Sequence, residues 1–340
     1  MMKAAIYHEP GKPLTIERVN DPTPGATDIV MKVHSCGICG TDLHMTEDHG
    51  PEFTLPKGGT PGHEYAGEVI EVGKDVKRFR VGDRICAQPF AGCGSCASCR
   101  AGQPFFCHQK QSFGAGFAEY ALVGEQTAVK LHDHLTYDDG ALVEPLAVGL
   151  HGATLANIAR GDNVLVLGAG PIGLATAYFA RRLGAGKVVV SATSRRREQY
   201  ALALGADSFL VPEADQTLME AAMQELGGMP DVVLECAGVT GCLDQAINAV
   251  KPHGTVIYMG FCTAPDPILP ATIMFKEITL KGSNCYTIAE YAKVADILAN
   301  GSLEPRRMIT QNISLDQVPD VFESLRGANN QCKVQVNPWR

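Results

Sequence analysis

The sequence predicts an α/β protein of two domains, a β-rich first domain followed by a doubly wound parallel sheet. Three observations carry this. Residues before about 150 hold short β-rich runs cut by Gly and Pro clusters. From Gly161 apolar strands alternate with helical stretches, the order that parallel βαβ units require. A glycine turn at 168–173 joins the first of these strands directly to a helix.

The chain has 340 residues, room for about two domains at roughly 150 residues each. With 45% hydrophobic and 19% charged residues it can bury full cores. The formal charge of -8 provides no positive field for a polyanion, so nucleic acid is excluded as the expected partner. Met1 to Glu9 lacks the apolar region of a secretory signal and reads as a first strand. The longest uncharged apolar run, Val164 to Ala180, is broken by Gly168, Gly170, Pro171 and Gly173, so no membrane span and a cytoplasmic location are expected. Twelve cysteines without an export signal read as reduced thiols and metal ligands.

In chain order, strands are expected at Asp28 to Val33, Glu64 to Val72, Arg84 to Ala87 and Glu119 to Val123. The second domain should run Asn163 to Leu167 (strand), Ile172 to Leu183 (helix), Lys187 to Ser191 (strand), Arg195 to Leu204 (helix), Asp231 to Glu235 (strand), Cys242 to Val250 (helix) and Thr255 to Met259 (strand). A helix at Ala289 to Ala299 and a tail ending in Lys333 to Val336 follow, and the tail can pair with the first domain. No repeat or low-complexity tract interrupts this layout.

Cys93, Cys96, Cys99 and Cys107 fall within fifteen residues. Four thiolates complete a tetrahedral zinc shell and leave no open position, so this site reads as structural. A second donor set is mixed. Cys39 precedes Gly40-Thr41-Asp42-Leu43-His44, and His63-Glu64 follow Pro61-Gly62. A thiolate, an imidazole and a carboxylate suit a catalytic zinc with a position open to substrate. Glu144, before Pro145, is a further acid available to it; Cys36 with Cys39 also makes a C-x-x-C pair that could act as a redox dithiol.

Strand Asn163 to Leu167 runs into Gly168-Ala169-Gly170-Pro171-Ile172-Gly173, the strand–turn–helix context of a dinucleotide site. Gly168 permits the turn, Gly170 lets backbone approach a pyrophosphate, and Gly173 allows close helix packing. The following helix N-terminus favours the anion. After the second strand stand Ala192, Thr193, Ser194, Arg195 and Arg197, with no acid before Glu198. NAD sites usually place an acid here for the ribose 2′-hydroxyl; hydroxyls and arginines suit a 2′-phosphate, so NADP(H) is expected over NAD(H).

The combination of G-H-E at 62–64, the four spaced cysteines, E-P-L-A-V at 144–148 and the glycine turn resembles the zinc-dependent alcohol dehydrogenases of the medium-chain dehydrogenase/reductase superfamily, in its sorbitol dehydrogenase-like branch, over nearly the whole chain. The resemblance implies a GroES-like catalytic domain at 1–151, a Rossmann NADP-binding domain at 152–285 and a return to the catalytic domain at 286–340, with the active site in the cleft between them. It implies two zinc ions per subunit, one catalytic and one structural. Cys39 and His63 match catalytic-zinc ligands; Glu64 is a direct ligand in sorbitol dehydrogenase-like members and an exchanging acid in others, while Glu144 sits where many relatives place a third ligand.

Asp42 matches the acid that orients the zinc-bound histidine, Thr41 the hydroxyl beside the reacting oxygen, and His44 the imidazole that passes the proton to solvent. Cys285 and Tyr286 should lie near the nicotinamide. Sorbitol-type members carry an arginine in this region, and none occurs between Lys281 and Lys293. The implied reaction is hydride transfer between NADP(H) and a secondary alcohol/ketone or aldehyde, with a polyol/ketose pair as the alternative enzyme and a silent NADPH-binding protein as the non-enzymatic one. A homo-oligomer is implied, a tetramer before a dimer.

Overall fold

The computed structural model describes residues 1–50, 53–301 and 303–340. The chain forms two compact units, Met1–Glu144 with Thr287–Arg340, and Pro145–Tyr286. The expected divide at 151/152 falls inside the helix Tyr137–Leu155, so the first unit ends within that helix instead.

In the first unit, strand Asp28–Gly37, with the β-branched Ile29, Val30 and Val33 buried, lies inside a seven-stranded sheet. It pairs antiparallel with Glu64–Val72 and with Tyr120–Gly124. Its end also pairs with Lys333–Val336, which in turn pairs parallel with Ile309–Ile313. The chain's last strand therefore joins the first domain, as the tail's pattern predicted. Arg84–Ala87 and Ala128–Lys130 extend the other side. Ile29, Met31, Val33, Tyr65, Val69, Ile85, Phe117 and Phe322 fill the core against this sheet.

The register at one end of this sheet is decisive. Gly37 stands opposite Glu64 on one side and opposite Gln335 on the other. Three segments far apart in sequence are thus brought level. A side chain at Gly37 would collide with the Glu64 carboxylate, so that approach requires glycine.

The second unit is a six-stranded parallel sheet in the spatial order Ser208–Leu210, Lys187–Ser191, Asn163–Leu167, Val232–Glu235, Thr255–Tyr258, Thr279–Gly282. Numbered within the unit, that order is 3-2-1-4-5-6, the doubly wound dinucleotide-binding arrangement. The helix Leu218–Leu226 and the edge strand Thr279–Gly282 were not read from the sequence. Arg195 to Leu204 is split into a 3-10 turn, Arg195–Arg197, and a helix, Glu198–Ala203. Among the described residues no helix is long and apolar enough to cross a membrane.

Candidate active site

Cys39 follows the central strand and is the N-cap of the short helix Gly40–Met45. Asp42, at the third helical position, accepts the Cys39 N–H at 2.9 Å and the Gly62 N–H at 3.0 Å. The same buried carboxylate lies 3.1 Å from His63 Nδ1. The contact commits Nδ1–H to Asp42 and leaves Nε2 as the nitrogen available to a metal, the way a carboxylate orients a metal-binding imidazole. Burial alone would raise Asp42 and lower His63, but their attraction outweighs it, holding Asp42 below the usual carboxylate range and His63 well above the usual imidazole value.

Cys39 Sγ, a His63 ring nitrogen and a Glu64 carboxylate oxygen lie within 4.8 Å of one another. That donor set fits a zinc ion with room for a further ligand. Glu144, 7% exposed on the helix Tyr137–Leu155, is not brought into the group. Its charge acts instead on the buried phenols of Tyr65 and Tyr291, which burial in the first place pushes upward. Cys36 is fully buried in the core, and burial raises its thiol well above the ordinary value, so it does not serve as the reactive half of a dithiol with Cys39. Thr41 and His44 share the Cys39 helix; His44 lies in its last turn, with Nδ1 3.3 Å from Glu47 and nearly half its side chain exposed.

Sequence reasoning missed Lys333. Its ammonium is 1% exposed and sits 2.7 Å from both Glu64 oxygens and 3.0 Å from the Ile38 carbonyl. Burial alone would push the ammonium down, but the Glu64 charge overrides it and raises the lysine above its ordinary value. Lys333 therefore holds the carboxylate of the candidate ligand from behind. The signal available in the sequence was a lysine opening the short terminal strand Lys-Val-Gln-Val.

Cys93, Cys96, Cys99 and Cys107 also bring their sulfurs within 4.8 Å of one another, and none of the twelve cysteines forms a disulfide. Backbone N–H groups of Cys93 and Gln109 point at Cys107 Sγ (3.4 and 3.3 Å), and that of Cys99 at Cys96 Sγ (3.5 Å). Hydrogen bonds, led by that from Ser95, lower Cys93 to about 6, whereas burial first and then the neighbouring sulfurs push Cys99 up to about 12. Four sulfurs at this spacing repel one another once deprotonated, which a divalent ion relieves. Chelation, or Cys96→Ser, is expected to lower the melting temperature of the whole protein by several degrees. An unchanged thermal unfolding curve after both treatments would count against a structural metal.

In the second unit Gly168 takes φ +100°, and a side chain at Gly173 would run into the Gly168 carbonyl. Gly170 caps the helix Pro171–Leu183 without a side-chain hydrogen bond, so Ile172 and its neighbours present open N–H groups at that helix end. A Cβ at Gly170 would find only Arg197 Nη1, 3.9 Å away, while Arg197 itself reaches the Ala169 carbonyl at 3.5 Å. Thr193 and Arg195 are exposed, Ala192, Ser194 and Arg197 half-buried, and Arg195 pairs with Glu198 at 2.7 Å. The cradle fits a nucleotide pyrophosphate with a cation above it. Cys285 takes φ +55° beside the buried Tyr286 at the end of this unit.

Comparison with known proteins agrees with both halves. Residues 25–133 match the alcohol dehydrogenase GroES-like domain, and residues 171–300 the zinc-binding dehydrogenase domain. The chain is 31% identical to a sorbitol dehydrogenase of Ovis aries over 98% of its own length and 96% of the relative's. It is 34% identical to a (R,R)-butanediol dehydrogenase of Bacillus subtilis (strain 168), over 99% and 100%. A Sinorhizobium meliloti 1021 structure bound to NADP superposes with a TM-score of 0.87 at 34% identity, covering 99% of this chain and 100% of that one.

Proposed function

The chain belongs to the zinc-dependent alcohol dehydrogenases of the medium-chain dehydrogenase/reductase superfamily, and on that premise we propose that it transfers a hydride between NADP(H) and a secondary alcohol/ketone pair. The observation that carries this reading is the Cys39–His63–Glu64 donor group with Asp42 fixing the imidazole. When bound, the zinc supplies Lewis-acid polarisation of the substrate oxygen, and the nicotinamide supplies the hydride carrier. Asp42 sets the His63 tautomer, and Lys333 holds the Glu64 carboxylate in position. The Thr41 hydroxyl accepts the substrate proton as it passes its own toward His44, whose ring, exposed to water, releases a proton to solvent. A second zinc in the four-cysteine lobe is structural in this proposal.

A polyol/ketose pair is the second reading, favoured by the sorbitol dehydrogenase relatives. Following NADPH absorbance against ketones, aldehydes and ketoses separates the two. Turnover confined to ketoses would replace the first reading with the second; no turnover on any of them would leave only a silent NADPH-binding protein.

NADP(H) preference rests on the turn after strand Lys187–Ser191, where Ala192, Thr193, Ser194, Arg195 and Arg197 stand without an acid before Glu198. The NADP-bound relative supports it. Ala192→Asp should shift the NADP/NAD ratio of kcat/KM toward NAD by about tenfold or more, since a carboxylate repels the 2′-phosphate and accepts from a 2′-hydroxyl. An unaltered ratio would show that the turn does not read the phosphate.

The enzyme is proposed to act in the cytoplasm as a homo-oligomer, a tetramer before a dimer. Strand Thr279–Gly282 is an edge with all four residues exposed, and Leu269, Met274 and Phe275 before it are 62%, 64% and 81% exposed. Apolar area of this kind beside an open strand edge suits a partner copy. Phe275→Asp is expected to lower the particle mass measured by light scattering; a monomer in both forms would refute the oligomer.

A further inference from the structure

Near the Cys39 centre, His44, Glu47 and His49 form a third group whose donor atoms lie within 4.8 Å of one another. Glu47 Oε2 is 2.8 Å from His49 Nε2 and 3.3 Å from His44 Nδ1. A tetrahedron with bonds of about 2.0–2.1 Å has edges of about 3.3–3.4 Å, so these donors already stand near metal-ligand spacing. The three side chains are only 25–42% exposed, yet open enough for a hydrated ion to reach.

The group is held in place from outside. Arg326 bonds the opposite Glu47 oxygen at 3.0 Å and the Leu43 carbonyl at 3.1 Å, which leaves Oε2 directed at the two imidazoles. Thr54 Oγ1 donates to the Glu47 carbonyl at 3.1 Å and accepts the His49 N–H at 3.4 Å, tying the second histidine to the acid's own backbone. Charge on this carboxylate is secure. Burial would raise its carboxyl, but hydrogen bonds from His49 and His44 and the Arg326 charge hold it below the usual range.

We propose that His44, Glu47 and His49 bind a divalent transition-metal ion, with zinc the natural candidate, as a third and exchangeable site distinct from the Cys39 centre and the four-cysteine lobe. Two imidazoles and one carboxylate are a borderline-soft donor set that leaves at least one position for water and excludes magnesium and calcium. Arg326 repels a dication, so the site should be weaker than the thiolate sites and should empty on dialysis. Occupancy engages a ring nitrogen of His44. This consequence rests on the proton-release role proposed for His44: free zinc would slow turnover by occupying the proton's exit.

The test uses the enzyme holding its tightly bound zinc, dialysed free of loose metal. Titrating with Zn²⁺ by calorimetry, and with Co²⁺ by visible absorption, should reveal one further equivalent per chain that is lost in His49→Ala and in Glu47→Gln. No further equivalent in the unmodified enzyme, or an equivalent that survives both substitutions, overturns the site. Activity is read separately. If the third ion binds and is lost in the variants while turnover with excess zinc stays unchanged, the site stands and the His44 proton route fails. Relief of zinc inhibition in His49→Ala supports both.

Discussion

Cys39→Ala is expected to reduce kcat/KM by about 10³-fold or more, while the protein keeps its fold and one zinc equivalent. The size follows from losing several kcal/mol of transition-state stabilisation when the Lewis acid loses its thiolate. The fold should survive because Cys39 is half-buried at a helix N-cap and the four-cysteine lobe is built from different residues. Two measurements check it together: steady-state kinetics and metal content, which should fall from two zinc ions per chain to one. Retained turnover in a sample that has lost that zinc would remove the metal from the mechanism.

Lys333→Met is the second large expected effect, and it is on stability. The substitution keeps a long apolar stem in a strand flanked by the buried Val334 and Val336 but strands the Glu64 carboxylate at 0% exposure. In enzyme stripped of its zinc, breaking this buried pair from one side destabilises by roughly 3–5 kcal/mol, because the remaining charge then has neither water nor partner. For units of this size that lowers the melting temperature by roughly 6–20 °C. Adding Glu64→Gln should recover much of the loss by removing the orphaned charge. Equal melting temperatures for Lys333→Met and the unmodified enzyme would show that the pair contributes nothing.

How much of the fold is legible in the sequence depends on how local each signal is. The glycine turn at 168–173 was legible because strand, turn and helix lie side by side in the chain, and the structure gives Gly168 the positive φ and Gly173 the close approach that the pattern requires. The four-cysteine lobe was legible for the same reason. The helix Tyr137–Leu155 was not, because Gly140, Pro145, Gly149 and Gly152 read as breakers and its almost wholly buried surface leaves no polar stripe to mark a period. Its length is why the boundary expected at 151 moved.

Lys333 was invisible for a different reason. It meets Glu64 across 269 residues, and lysine in a terminal strand is ordinarily placed at the surface. The two acids Glu64 and Glu144 had the same character: both stand near the right motifs, and only the folded chain groups Glu64, and not Glu144, with Cys39 and His63.

The strand Lys333–Val336 lies between Asp28–Gly37 and Ile309–Ile313 in the sheet, although in the chain it follows the whole of the second unit. During synthesis the contiguous second unit can fold as soon as it emerges, whereas the sheet that precedes Cys39 keeps an open seam until Lys333–Val336 has emerged as well. The nascent chain thus completes the second unit before the first, and until Lys333 emerges the first unit has an unpaired strand edge and no counter-ion for Glu64.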